Sequence, residues 1–304
     1  MIRKRHEWKL RSRTLLAGER TLIMGVLNVT PDSFSDGGRF FDPDHAYARA
    51  LEIEEDGADI IDIGAESTRP GSARISEGEE LRRLIPVLKR LAGKLTIPVS
   101  VDTYKAAVAE KAIEYGVEII NDPSGLTFDP ALARTAANHD AGLILNHMRG
   151  TPETWAKLPP LKDVMGTISG DLAACVHRAR MAGVEKLRMV VDPGVGFGKR
   201  KEQNGEILAR LPELARLDLP VLVGVSRKSF LAQATEAETA SATCGAVAAA
   251  ILGGAYVVRA HDVKAARAAA FVADMVCDQE RRLAEREPPP EKPRPPAPGF
   301  RPRR

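Results

Sequence analysis

The chain has 304 residues, of which 44% are hydrophobic and 28% are charged, so it can bury a sizeable core and is not typical of disordered chains. No apolar run reaches the roughly 20 residues that a membrane-spanning helix needs, and no long apolar segment follows the basic N-terminus as in a secretory leader. Three widely separated cysteines favour a reduced, cytoplasmic protein without a disulfide framework or a zinc motif.

The net charge of +3 arises at the two ends of the chain. Residues 1–20 contribute +5 and residues 288–304 contribute +4, which leaves about −6 for the body. A basic isoelectric point of this origin indicates neither a nucleic-acid partner nor a membrane surface. Eight of the 21 prolines lie in residues 288–304, so we expect a disordered tail there. The predicted units are a basic segment with a capping hairpin (1–20), one barrel domain (21–287) and this tail (288–304).

The first predicted barrel strand is an almost unbroken apolar run at residues 22–29, followed by Thr30-Pro31 and a polar loop that ends at Gly38. Apolar runs of this kind are typical of parallel strands that are buried on both faces. Asn28 lies at the end of the strand, where α/β proteins place functional side chains. An ordinary strand–helix connection with a turn-prone composition is the alternative interpretation.

Strands and helices then alternate along the chain. The further strands are predicted at 58–64, 98–102, 117–121, 142–146, 188–191, 220–225 and 255–258. The helices are predicted at 42–56, 76–94, 104–115, 130–138, 161–182, 205–217, 241–252 and 263–287. Eight such units over about 250 residues predict an α/β fold, a (β/α)₈ TIM barrel with a short N-terminal hairpin. A doubly wound open sheet remains the alternative, because strand count does not establish closure.

Every predicted strand ends in polar residues. They are Asn28, Asp62, Glu66, Asp102, Asn121, Asp122, Asn146, His147, Asp192, Ser226, Arg227, Lys228, Arg259 and His261. Loops commonly begin with a polar residue, which explains any one of these positions. It does not explain why all eight strands end in polar residues. Because the carboxyl ends of barrel strands meet on one face, we expect a functional site there.

The residue types indicate two halves of this site. Acceptors and an amide suited to the edge of a polar heterocycle are Asp102, Asn121 and Asp192. Cationic donors suited to a phosphate or pyrophosphate are Arg69, Arg259 and His261. Lys228 can act at both ends of the site, and we interpret Met148 as an apolar floor beneath a ring.

Eight segments, in order over about residues 7–280, resemble the dihydropteroate synthase family. They are MGVLNVTPDSFSDGG, DIIDIGAESTRPGS, SVDTYKAAVAEKA, EIINDPSG, NHMRG, VVDPGVGFGK, VGVSRKSF and VVRAHDV. The resemblance implies a homodimeric TIM barrel that joins 6-hydroxymethyl-7,8-dihydropterin pyrophosphate to p-aminobenzoate with the help of Mg²⁺. The products are 7,8-dihydropteroate and pyrophosphate, formed in an SN1-like reaction. The loop around Pro70 has no insertion, which implies ordinary sulfonamide sensitivity.

The resemblance also implies roles for individual residues. Asp102, Lys228, Arg259 and His261 would be catalytic, and Asn28 would hold magnesium. The pterin-binding residues would be Asp102, Asn121, Met148, Asp192 and Lys228. The pyrophosphate-binding residues would be Asn28, Thr68, Arg69, Arg259 and His261. The p-aminobenzoate pocket would comprise Phe34, Thr68, Pro70, Phe197, Lys228 and Ser229.

Two other classes of protein are compatible with parts of this pattern. A methyltetrahydrofolate–corrinoid methyltransferase barrel would share Asp102, Asn121 and Asp192, but it has no need of the 226–229 segment or of the Arg259-x-His261 pair. A non-catalytic scaffold barrel is disfavoured, because unused buried polar groups carry a cost in stability.

Overall fold

The computed structural model describes residues 3–30 and 43–286. An antiparallel hairpin comes first, with β1 (His6–Lys9) paired to β2 (Thr14–Ala17). The predicted hairpin is therefore confirmed. The predicted tail at 288–304 lies outside the described residues. Within those that are described, no helix is both long enough and apolar enough to cross a membrane.

Eight parallel strands form the central sheet. They are β3 (Leu22–Asn28), β4 (Ile60–Gly64), β5 (Val99–Asp102), β6 (Ile119–Asp122), β7 (Gly142–Asn146), β8 (Met189–Asp192), β9 (Leu222–Gly224) and β10 (Val257–Ala260). Their order is β8-β7-β6-β5-β4-β3-β10-β9, and a parallel bridge between Val191 and Val221 joins β8 to the β9 side. The sheet thus closes on itself, which confirms the TIM barrel and excludes the open doubly wound sheet.

Within residues 3–30 and 43–286, eight α-helices surround the barrel in chain order. They are α1 (Pro43–Glu55), α2 (Glu77–Leu91), α3 (Ala106–Glu114), α4 (Ala131–Asn138), α5 (Val164–Met181), α6 (Lys201–Ala209), α7 (Glu236–Leu252) and α8 (Val263–Arg286). Their inner faces bury alanine, valine, leucine and isoleucine against the strands, as Ala46, Ala50 and Ile53 of α1 do. Gly25 of β3 permits a close approach, because a Cβ there would lie 2.4 Å from Ile53 Cγ2.

Two of the predicted helices, those corresponding to α6 and α7, differ from the observed ones by more than three residues at a boundary. The predicted helix 205–217 is wrong as one element, since α6 ends at Ala209 and a 3₁₀ turn covers Leu211–Leu217. Pro212 explains the break, because its ring clashes with the preceding α-helical turn. Helix α7 begins five residues before the predicted 241, at a capping box between Thr235 and Glu238. Ser76 caps the start of α2, where its side chain accepts from the Glu79 amide, and the Glu79 carboxylate pairs with Arg82 and Arg83.

The hairpin covers the amino ends of the barrel strands. Trp8 is fully buried there, and its Nε1 donates to the Arg188 carbonyl at 3.0 Å. Arg188 in turn donates from Nη1 to the Leu10 carbonyl at 3.0 Å. A Cβ on Gly142 would lie 2.6 Å from Leu10 Cδ2, so glycine is required where β7 meets the hairpin. With this end covered, the opposite rim is the one that is left for a site.

Candidate active site

A row of paired residues crosses four neighbouring strands at the carboxyl rim. Asn28 of β3 pairs with Gly64, Gly64 pairs with Asp102, and Asp102 pairs with Asn121. Residues paired across parallel strands direct their side chains to the same face of the sheet. An amide, a carboxylate and a second amide therefore share the inner face of the barrel at one level, with Gly64 leaving space between them. A Cβ at Gly64 would lie 3.3 Å from Asp102 Cβ.

Asp62 joins Arg259 and Asn121 directly and Asp102 through Arg259, a role that its place at a polar strand end did not predict. It is fully buried, and its Oδ2 accepts from Arg259 Nε at 2.7 Å and from Asn121 Nδ2 at 3.0 Å. Arg259 Nη2 donates to Asp102 Oδ2 at 2.9 Å. Asp62 thus orients the Arg259 and Asn121 side chains toward the barrel mouth. It lies two residues before Gly64 on the same strand.

In this network, attraction between opposite charges counteracts the effect of burial on each charged group. Burial raises the pKa of the Asp102 carboxyl, an effect that the Arg259 cation counteracts. Burial also disfavours the charged guanidinium of Arg259, but Asp62 and Asp102 overcome this and raise its pKa. Arg259 is therefore always cationic, and it lies between two carboxylates that compete for its donors. An anionic ligand brought to this cation would have to share it with Asp102.

Asp192 and Lys228 form the second charged part of the rim. The Asp192 Oδ1 accepts from the Gly194 amide at 2.7 Å, and burial raises the pKa of this carboxyl to about 6. Burial lowers the pKa of Lys228 to about 8, with a further contribution from the nearby Arg259 charge. The Lys228 Nζ lies 4.1 Å from the ring centroid of Phe197, so the ammonium and the aromatic face form one wall.

Lys199 positions the loop that carries Phe197, a role not inferred from the sequence. It is almost fully buried, and its Nζ donates to the carbonyls of His147, Pro193 and Gly194 at 2.7, 2.9 and 2.7 Å. These bonds join the loops that follow β7 and β8. The sequence signal for this role is the GFGK motif at residues 196–199. Glycines let the backbone pack closely, so carbonyl oxygens lie within reach of the lysine that follows them.

His261 lies at the rim beside Ser226. Its backbone amide donates to Ser226 Oγ at 3.2 Å, and its Nδ1 is 3.0 Å from the same oxygen. Burial, together with the Arg259 and Arg227 charges, lowers the pKa of His261 to about 3. The imidazole is thus neutral in the ligand-free protein, unlike the cationic donor that the sequence suggested, because it is buried among cations.

The remaining predicted site residues lie on loops at the same end of the barrel. No described hydrogen bond or ion pair joins their side chains to the charged network, although the Arg69 charge helps to lower the pKa of His261. Thr68, Arg69 and Pro70 lie in the loop after β4, which the Gly71 amide ties to the Pro152 carbonyl at 2.9 Å. Met148 follows β7 and is half-buried, and exposed Ser229 begins a 3₁₀ turn. Phe34 lies outside the described residues. Asn28 is half-buried, and no group of three acidic, histidine or cysteine side chains in the described ranges is arranged to hold a metal.

A closed parallel barrel with paired carboxylates and cations at its carboxyl rim defines an enzyme-like site for a polar, partly anionic small molecule. A family described as "Pterin binding enzyme" matches residues 24–261. This match covers every strand of the barrel apart from the start of β3, and with the relatives below it shows that the chain belongs to the pterin-binding enzymes.

The relatives identify the branch of that family. The chain is 46% identical over 261 residues to a dihydropteroate synthase from Synechocystis, covering 84% of this chain and 90% of the relative. A solved dihydropteroate synthase from Clostridium difficile, studied in the presence of pteroic acid, is 43% identical with a TM-score of 0.80 over 86% of this chain and 98% of that one. The Xanthomonas albilineans enzyme, solved with 4-aminobenzoic acid, is 36% identical with a TM-score of 0.82 over 94% of this chain and 100% of that one.

Proposed function

We propose that this chain is a dihydropteroate synthase, which joins 6-hydroxymethyl-7,8-dihydropterin pyrophosphate to p-aminobenzoate. The observation that carries the proposal is the rim network, in which Asp62 and Asp102 hold Arg259 and Asp62 also holds Asn121. This network supplies acceptors for a heterocycle next to a fixed cation for an anionic group. The relatives support the same reading, because they are dihydropteroate synthases over most of this chain.

The pterin half of the proposed site consists of Asp102, Asn121, Asp192 and Lys228, with Met148 against the ring. Two carboxylates and an amide match a ring edge that carries several N–H donors and a carbonyl. Both carboxylates are buried among protein atoms rather than water, so each hydrogen bond to the substrate is formed in a low-dielectric site. A ligand that donates hydrogen bonds to them restores the ionised form that burial disfavours.

The pyrophosphate half of the proposed site comprises Arg259, His261, Arg69 and Thr68. The bond to Asp62 holds the Arg259 side chain in one orientation, so its positive charge already lies at the rim before a ligand binds. Neutral His261 donates one hydrogen bond, and an adjacent pyrophosphate would raise its pKa. Asn28 fits a magnesium ion that is held mainly by pyrophosphate oxygens and water, because a single amide oxygen at the rim is a suitable hard ligand. When bound there, Mg²⁺ would neutralise charge on the leaving group.

In the proposed reaction, the bond between the pterin methylene carbon and the pyrophosphate oxygen breaks first, and pyrophosphate takes both bonding electrons. Asp102 and Asp192 stabilise the resulting pterin cation, while Arg259 stabilises the departing anion. The amino nitrogen of p-aminobenzoate then forms the new bond to the methylene carbon and loses one proton. No covalent enzyme intermediate is needed, and closure of the loop after β4 would keep water from the cation.

The proposed p-aminobenzoate pocket lies where Lys228 meets Phe197. The ring of Phe197 packs edge-on to Trp155 with the centroids 5.2 Å apart, which holds it beside the ammonium. We place Thr68, Pro70 and Ser229 in this pocket as well, whereas Phe34, also expected there, lies outside the described residues. A sulfonamide presents a similar anilino group, so we expect competition with p-aminobenzoate in steady-state kinetics. A sulfonamide that does not inhibit at saturating concentration would contradict this pocket.

The pH dependence of kcat/KM is expected to be bell-shaped. Asp102 and Asp192 must both be ionised to accept from the pterin, so activity should fall as the pH drops through their pKa values of about 7 and about 6. Lys228 must be protonated, so activity should also fall above its pKa of about 8. The maximum is therefore predicted between about pH 7 and 8. A flat profile from pH 5 to 9, measured with both substrates below saturation, would argue against these roles.

A corrinoid methyltransferase is the alternative within pterin-binding barrels. Such an enzyme would use the carboxylates of the rim but would not require Arg259 and His261 beside them. Incubation with each substrate pair separates the two functions. Dihydropteroate formation without methyl transfer from methyltetrahydrofolate to a corrinoid protein supports the synthase, and the reverse pattern would replace it.

We also propose that the protein is a cytoplasmic homodimer that pairs through α8. Four apolar side chains on this helix are exposed to 72, 52, 52 and 40%, namely Phe271, Val272, Met275 and Val276. They lie at spacings of one, three and four residues and so form one continuous patch. We expect Phe271→Glu to shift the protein toward monomer in sedimentation velocity, whereas Lys201→Glu on α6 should not. A monomeric wild type at micromolar concentration would contradict this assembly.

A further inference from the structure

A buried polar cluster lies beside the site and is not used in the proposed reaction. It comprises Glu66, Glu80, Tyr104 and Lys105, and we refer to it as the Glu66 cluster. Lys105 Nζ bonds to Glu66 Oε2 at 2.6 Å and also to Glu80 Oε2. Tyr104 Oη donates to Glu66 Oε1 at 2.9 Å. The side chains of Glu66, Lys105 and Glu80 are only 11, 14 and 1% exposed.

The cluster closes the base of the loop between β4 and α2, residues 65–76. Glu66 stands at the start of this loop, and its Oε2 accepts from the Ile75 amide at 3.2 Å near the end. Arg74, next to Ile75, places its guanidinium 3.9 Å from the ring centroid of Phe128 and 5.4 Å from that of Tyr104. Both ends of the loop are therefore held by the segment that follows Asp102, while its tip carries Thr68, Arg69 and Pro70.

The tip is held by fewer contacts than the base. Ser67 Oγ and Ser72 Oγ are 3.0 Å apart, and Ser72 Oγ donates to the Arg69 carbonyl at 2.7 Å. Only the bond from the Gly71 amide to the Pro152 carbonyl joins the tip to another loop among the described backbone contacts. The free energy needed to open a loop locally increases with the number of such contacts, so the contacts at the base determine how far the tip can move.

We propose that Glu66 is a positioning residue that fixes the loop of residues 65–76 and thereby sets the affinity of the enzyme for p-aminobenzoate. This inference rests on the proposed function, in which the loop tip borders the p-aminobenzoate pocket. Glu66 touches neither substrate. It acts by holding the two ends of the loop together.

Glu66→Gln tests the proposal with little risk to folding. The substitution removes one charge and leaves Lys105 and Glu80 as a matched buried pair, so no charge remains unpaired. We expect amide hydrogens of residues 67–75 to exchange at least tenfold faster than in wild type. We expect KM for p-aminobenzoate to rise about tenfold, while Kd for 6-hydroxymethyl-7,8-dihydropterin, which lacks the pyrophosphate that Thr68 and Arg69 are proposed to bind, stays within about twofold.

Two further variants complete the design. Arg74→Ala removes the exposed cation that contacts Phe128 at the far end of the loop. We expect faster amide exchange at residues 67–75 and a higher KM for p-aminobenzoate, with both changes smaller than in Glu66→Gln. Glu77→Gln makes the same chemical change on the exposed first turn of α2 and should alter neither measurement. Unchanged exchange in Glu66→Gln, or faster exchange with unchanged KM for p-aminobenzoate, would overturn the proposal. The exchange measurement does not require turnover, so it is informative even if the wild type makes no dihydropteroate.

Discussion

Lys228→Ala is expected to lower kcat/KM for dihydropteroate formation by at least about 10³-fold, equivalent to about 4 kcal/mol of transition-state stabilisation. The substitution removes a half-buried ammonium that lies against Phe197 and interacts electrostatically with Asp192 and Arg259. No neighbouring donor replaces it, since Lys199 is already bound to three carbonyls. Steady-state kinetics with both substrates varied would measure the effect.

Two controls make the Lys228 result specific. Lys201→Ala removes an exposed lysine from the first turn of α6 and should leave kcat/KM within about twofold. Lys228→Arg keeps the charge but not the shape of the ammonium, so an intermediate loss is expected. If Lys228→Ala retains more than a tenth of wild-type kcat/KM, the lysine does not hold the role proposed for it.

Asp62→Asn is expected to impair both stability and activity. Arg259 loses a buried anionic partner at 2.7 Å, and the Asn121 amide can then face another amide nitrogen instead of a carboxylate. Breaking a buried pair of this kind costs about 3–5 kcal/mol in the free energy of unfolding. With Arg259 and Asn121 no longer fixed, kcat/KM should fall by at least about 10²-fold.

The matched control for Asp62 is the surface pair of Asp44 and Arg90. These groups are joined at 2.6 Å, but their side chains are 62 and 49% exposed. Asp44→Asn should therefore change the free energy of unfolding by less than about 1 kcal/mol. Denaturant unfolding of both variants measures the difference. Equal losses from the two substitutions would mean that burial of Asp62 does not strengthen its ion pair.

Much of the barrel was predictable because its signals are local. Apolar runs identified all eight strands, and the polar residue after each run predicted which face carries the site. Closure was not predictable, since it depends on Val191 meeting Val221 across the ring. The helix boundaries failed where one residue decided the outcome, as Pro212 does after α6 and Thr235 does before α7.

In the site, as in the fold, the local features were predictable and the long-range contacts were not. Residue types predicted Asp102, Asn121, Asp192, Lys228 and Arg259 as members of one rim, and all five have direct or electrostatic contacts with Arg259 or Asp62 in the structure. The organising role of Asp62 could not be read from the sequence. Its partners Asn121 and Arg259 lie 59 and 197 residues away, and only the closed barrel brings them to one oxygen.

The central claim is that the charged rim catalyses the condensation of dihydropterin pyrophosphate with p-aminobenzoate. The most direct test follows pyrophosphate release and dihydropteroate formation together, with Mg²⁺, in wild type and Lys228→Ala. We predict equal amounts of the two products in wild type and loss of both in the variant. Tight binding of dihydropterin pyrophosphate without any dihydropteroate, under conditions where the folded protein is intact, would contradict the claim.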